Sequence, residues 1–194
     1  MLLLLCGLAL FLAVHSVRIA AETWRAEVID QRGEHAYKAV YSVVSLIGLV
    51  LIVMGYSQTR QAPVNLWYPP AGMSHVAALL TLPAFILLVA AYIPGTHIKS
   101  AVGHPMILGV KVWAFAHLLA NGRLGDVILF GAFLSWAVLD YISSRKRDRR
   151  LGIVHTPMPG LSRDAIAVVA GTGAWLVFAL WLHVRLIGVS PFGA

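Results

Sequence analysis

Apolar residues fall into six runs, at about 1–20, 38–56, 74–93, 105–121, 124–143 and 164–187. Each run is close to the roughly 20 residues that carry a helix across a hydrocarbon core of about 30 Å. The runs are continuous, without the two-residue alternation of a barrel strand, so a helical bundle is the spanning solution that satisfies the backbone. The pattern predicts an all-α polytopic membrane bundle of about six transmembrane helices, forming one domain over 1–194. No basic residue precedes the first run, which therefore reads as a retained span rather than a secretory signal. Turn residues mark the joints: Pro63, the Pro69-Pro70-Ala71-Gly72 group, Pro94-Gly95, Asn121-Gly122 and the stretch from Pro157 to Gly160.

Composition sharpens this picture. Of 194 residues, 59% are hydrophobic and 12% charged, which is more apolar surface than a soluble core of this size can hide. A soluble enzyme, a disordered linker and a nucleic-acid module are excluded, although the formal net charge is +7. Cys6 is the one cysteine, so a single chain builds neither a disulfide nor a cysteine-rich metal site.

The basic excess reads as topology. Loops after the first, third and fifth runs hold Arg18, Arg25, Arg32, Lys38, Lys99, Arg145, Lys146, Arg147, Arg149, Arg150 and Arg163, which is 11 cations; the opposite side holds three, Arg60, Arg123 and Arg185. The bias places both termini outside the cytoplasm of a bacterial inner membrane and the 18–37 and 144–163 loops inside. The first inside loop keeps Trp24, Val28 and Ile29 at helical spacing, as in a helix lying along the interface. The run from Arg145 to Arg150 suits anionic membrane lipids, and such a cluster also serves simply as a topological anchor.

Ionisable groups within a span are costly, so each needs a polar partner or a function. Most here are histidines: His15, His75, His104, His117 and His183, with Lys111 inside the fourth run and His35, His97 and His155 in loops. Histidines without nearby cysteine or carboxylate suit an axial haem ligand better than a hydrolytic metal centre, and each also suits a structural hydrogen bond. His104 and His117 lie on one helix about 20 Å apart and cannot share an iron. Lys111 admits three readings: a functional cation, a snorkelling side chain, or a partner of Asp140 near the same face. Gly48, Gly55, Gly109, Gly131, Gly171 and Gly173 are expected to permit close helix packing. Glycine-rich phosphate loops, paired intramembrane carboxylates and nucleophile elbows are absent from the sequence.

The segment GHPMILGVKVWAFAHLLANG at 103–122 resembles the signature of the NnrU family of integral membrane proteins. The blocks LAVHSVR at 12–18, GEHAYKAVYSVVSLIGLVLIV at 33–53 and LFGAFLSWAVLDYISSRKRDRR at 129–150 extend the resemblance over nearly the whole chain. It implies an association with nitrite and nitric oxide reduction in denitrifying bacteria, with reductase components as partners. The domain is also similar to the zeta-carotene isomerases, membrane enzymes that hold a haem b and use its ferrous state to isomerise a polyene. That similarity implies haem ligation at His15 and His117, and Ala114 stands where those enzymes have a cysteine three residues before the second histidine. Lys111 and the LLANG tail look more like the denitrification branch.

Depth along straight helices separates His15 and His117 by about 15 Å and by itself pairs His15 with His104, and His75 or His183 with His117. Tilted helices would close the gap, so His15 and His117 stand first, with His75 and His104 as alternates. The HP step at 104–105, followed by Gly109, is similar to the RHPxYxG motif of membrane methyltransferases that use S-adenosylmethionine. Gly103 replaces its arginine, Met106-Ile107 fills the aromatic position, and SSRKRDRRLG stands where a Glu-Glu pair would be.

Overall fold

A computed structural model describes residues 1–192, so the last two positions of the 1–194 domain lie outside the described residues. Its elements are α1 (Leu2–Ala20), α2 (Glu22–Arg32), α3 (Glu34–Gln61), α4 (Met73–Tyr92), α5 (His97–Val102), α6 (Pro105–Ala120), α7 (Leu124–Leu151), α8 (Ser162–Val177) and α9 (His183–Ile187). A π-helical turn, Phe178–Leu182, joins α8 to α9 in one continuous rod. No strand occurs among the described residues beyond an isolated antiparallel bridge between Asn65 and Arg123.

The six apolar runs each become a helix, and the bounds of two move outward. α3 starts at Glu34 and runs to Gln61, and α7 continues to Leu151. Their added turns are polar and carry no hydropathy signal, yet they stay helical for local reasons: Lys38 pairs with Glu34 at 2.9 Å, and Gly152, at φ 64°, closes α7 in the left-handed conformation that glycine tolerates. Among the described residues, five helices are long and apolar enough to cross a membrane. α6, with 16 residues, spans only about 24 Å. α2 is the helix expected along the interface, and its Trp24 is exposed.

Neighbouring helices pack in the sequence α3, α1, α7, α6, α4, α8, with α7 between α1 and α6. Leu4, Leu8, Ile52, Ala114, Leu129 and Phe130 form the core where α1, α3, α6 and α7 meet. Outward positions such as Leu46, Leu79 and Val169 are exposed, as a lipid-facing surface requires.

Contact between α1 and α3 depends on small residues. A Cβ at Gly7 would sit 2.6 Å from the Ile52 nitrogen, one at Gly48 2.9 Å from the Phe11 nitrogen, and one at Gly55 on the Leu4 backbone. Gly171 meets the Ile86 Cα at 2.6 Å and Gly109 the Ala84 carbonyl at 3.0 Å, but Gly131 and Gly173 face open space. The expectation of close packing therefore holds for four of its six glycines and fails for Gly131 and Gly173, because glycine content does not fix which way a helix face points.

The two ends of the bundle are tied differently. At one end the 62–72 loop lies over the α6–α7 joint: Leu66 N–H donates to the Gly122 carbonyl and Leu124 N–H to the Val64 carbonyl, each at 2.8 Å. Beneath it the Tyr56 hydroxyl donates to buried Asp126 at 2.6 Å. At the other end the three basic segments gather. Arg150 binds Glu22 at 2.7 Å, Arg163 donates to the Pro94 carbonyl at 2.8 Å, and Met158 N–H to the Gly95 carbonyl at 2.9 Å. The hydrogen bond from Arg150 holds the Glu22 carboxyl below the usual carboxylate range.

Replacing Gly55 by alanine should lower stability by about 1–3 kcal/mol, since backbone rather than a flexible side chain occupies the space. Gly173→Ala should change it by less than about 0.5 kcal/mol. Unfolding of the purified variants in mixed detergent micelles reads both, and equal effects would refute the packing account.

Candidate functional site

Helices α1 and α6 each carry a histidine that begins as a solvation problem. Its ring has one N–H to satisfy where water is excluded, and both helices solve it the same way. His15 Nδ1 donates to the Phe11 carbonyl at 2.7 Å, and His117 Nδ1 to the Trp113 carbonyl at 2.8 Å. Each bond reaches back one turn, to a carbonyl already used by its helix ladder. In a neutral ring this leaves the other nitrogen, Nε2, as the unprotonated acceptor.

Aromatic side chains wall the two rings. His15 stacks on Phe11 at 4.0 Å and meets Tyr41 of α3 at 5.0 Å and Trp136 of α7, edge-on, at 5.9 Å. His117 stacks on Phe130 of α7 at 4.6 Å and tilts against Trp113 at 5.2 Å. Phe133 connects the two groups, lying 5.8 Å from Phe11 and 5.7 Å from Trp113. The rings of His15 and His117 do not meet. Their α7 partners, Trp136 and Phe130, are six residues apart, about 9 Å of rise, and Phe11, Phe133 and Trp113 fill the way between them.

The buried Trp136 indole N–H has no partner among the described residues. Trp136 borders His15 directly, while the Ser45 hydroxyl, one turn along α3 from Tyr41, lies within reach of the Tyr41 side chain. An unpaired donor buried in an apolar bundle costs about 1–3 kcal/mol, so the Trp136 N–H marks a place suited to an acceptor-bearing ligand.

The other sequence-derived positions are placed elsewhere. His75 is exposed at the start of α4, beside Phe192, in a shallow apolar recess shared with Ala78, Leu82 and Trp175. His104 caps α6, and its Nε2 is engaged by Asp148 at 2.8 Å. Lys111 and Asp140 are not brought into an ion pair: the ammonium lies over the Tyr141 ring, 4.9 Å from its centre, and Asp140 accepts from Ser144 at 3.5 Å. Depth alone placed Lys111 beside Asp140, but the next residue on α7 is the one that faces it. His183, at the end of the π-helical turn, donates to the Val189 carbonyl at 2.6 Å.

A sequence profile of the family described as NnrU protein matches residues 3–191. The chain belongs to the NnrU family. No curated protein and no solved structure matches it. In this NnrU protein the 103–122 signature forms the α5–α6 joint, the whole of α6 and the turn into α7, and so carries both His104 and His117. Donor chemistry tests the fit of a haem: neutral imidazoles with Nδ1–H pinned to a carbonyl and Nε2 free are what an axial ligand requires. His15 and His117 meet that requirement. His104 does not, because Asp148 takes its Nε2.

Sequence reasoning passed over Asp126, Trp136, Tyr141 and Asp148. Asp148 was hidden in the basic run 145–150, where a lone acid reads as charge dilution. Its signal was position, three turns beyond Trp136 on the same helix and seven residues before His155.

Proposed function

We propose that the protein is a haem b-binding integral protein of a bacterial inner membrane, with an accessory role in nitrite and nitric oxide reduction. One observation carries the reading: two spanning histidines on different helices hold Nδ1 on the carbonyl four residues back and leave Nε2 free inside one continuous aromatic wall. His15 and His117 would hold the iron. A bound haem held by two imidazoles supplies one-electron chemistry.

The chain's own residues do the rest. The carbonyls of Phe11 and Trp113 fix each ring's tautomer and raise its basicity. Phe130, Trp113 and Phe133 exclude water, and a planar group held between the two histidines would have to displace the rings that fill that space. The Trp136 N–H, toward the basic end, is a donor suited to a carboxylate substituent. Membership of the NnrU family supports the denitrification context. Buried Ala114 offers no thiol for ligand exchange, which weighs against the isomerase reading.

His15→Ala and His117→Ala should each abolish or shift the Soret and reduced α bands of the purified protein, while His97→Ala leaves them unchanged. A wild-type spectrum in both variants, or no haem in the wild type, would overturn the proposal. Steady conversion of a polyene by the isolated protein would move it to the isomerases.

Sidedness belongs to the same proposal, since the 11-to-3 cation bias puts the basic end in the cytoplasm and both termini outside. With Cys6, which is exposed, replaced by serine, a cysteine at Val64 should react with an impermeant thiol reagent on whole spheroplasts and one at Arg149 should not. The reverse pattern contradicts the orientation.

A further inference from the structure

At the basic end, apart from the aromatic wall, three side chains from three segments converge. His104 comes from the N-cap of α6, Asp148 from the last turns of α7, and His155 from the coil that follows. Asp148 Oδ2 accepts from His104 Nε2 at 2.8 Å and from His155 Nε2 at 3.2 Å. The two imidazoles meet edge to face with centroids 5.7 Å apart. All three potential donor atoms lie within 4.8 Å of one another. Asp148 is buried and both histidines are partly so.

We propose that His104 Nε2, Asp148 Oδ2 and His155 Nε2 form a three-ligand site for a divalent transition-metal ion, of the zinc or ferrous class. Ligand spacing supports this. Ligand atoms about 2.0–2.2 Å from one ion, at tetrahedral to octahedral angles, are separated from each other by about 2.9–3.5 Å. The two contacts to Asp148 fall at or within a few tenths of that range, so the ion replaces two shared protons with little movement of α6 or α7. His155 stands on coil, and its backbone can close the remaining gap to His104. Two imidazoles and one carboxylate form a borderline-soft set that selects zinc or ferrous iron over calcium or magnesium, which prefer oxygen alone.

Surroundings supply the remaining parts of such a centre. The Arg145 guanidinium lies 3.8 Å from Asp148 Oδ2 and orients the carboxylate. Tyr141, edge-on to His104, has its hydroxyl fixed on the Val102 carbonyl at 2.7 Å. A cavity of about 230 Å³, lined by Gly95, Thr96, Lys99, Ser100, His155 and Thr156, opens beside the third ligand. It gives solvent a path to the His155 side of the trio. This reading is independent of the haem proposal, because no residue is shared.

Purified protein, stripped with a chelator and dialysed, should take up one Zn²⁺ per chain by isothermal titration and elemental analysis. Substituting Co²⁺ should give visible ligand-field bands. His155→Ala should weaken Zn²⁺ binding at least tenfold and remove the Co²⁺ bands, with the helix content of the metal-free protein and any haem spectrum unchanged. His97→Ala, which removes the other histidine–aspartate pair, with Asp164, should bind as the wild type does. Asp148→Asn should also lose the metal, and if it fails to fold, the His155 variant on coil still decides the matter. Less than about 0.1 Zn²⁺ per wild-type chain, or wild-type affinity in His155→Ala, would show that the trio is only a hydrogen-bonded hub and overturn the proposal.

Discussion

Inside hydrocarbon a histidine must give its ring N–H to an acceptor, and for His15 and His117 the acceptor is the carbonyl four residues earlier on the same helix. That local solution has a structural consequence. Because His15 and His117 need nothing from neighbouring helices, the neighbours are free to pack on them with aromatic rings, and α7 does so with Phe130, stacked on His117, and Trp136, edge-on to His15. Helix α7 thereby becomes the element between α1 and α6. The chemical consequence is that Nε2 stays an unprotonated acceptor in both rings, which is the property that the haem proposal uses.

Polar groups divide between the two ends of the bundle. One end is closed by backbone hydrogen bonds between the 62–72 loop and the α6–α7 joint, over the Tyr56–Asp126 contact. The other gathers cations, Glu22, Asp164 and the His104–Asp148–His155 trio. Between them the interior is apolar and aromatic, with Lys111 settled on the Tyr141 ring rather than on a carboxylate. For a desolvated ammonium, a ring face is worth about 2 kcal/mol or more.

Much of this was legible before any coordinates. Continuous apolar runs gave six helices because a bilayer fixes the length and period of what crosses it. His15 and His117 were two of five histidines in or at the ends of such runs and were put first by the family resemblance; the aromatic four residues before each, Phe11 and Trp113, belongs to the same short patterns FLAVH and WAFAH. Helix azimuth was not legible. It decided that Gly131 and Gly173 face open space and that Lys111 meets Tyr141 rather than Asp140. The role of Asp148 was hidden because its partners come from segments 44 residues before it and seven after, a convergence that no local pattern encodes. Helix ends at 34 and 151 escaped because polar turns that stay helical look like loops to a hydropathy profile.

The central claim is that both spanning histidines are neutral with the proton on Nδ1. Nitrogen-15 spectra of haem-free, metal-free protein, labelled at histidine and assigned with His15→Ala and His117→Ala, test it directly. The account predicts for both residues a protonated, hydrogen-bonded Nδ1 and an unprotonated Nε2 at neutral pH. A protonated Nε2 on either ring, or an imidazolium, would contradict it.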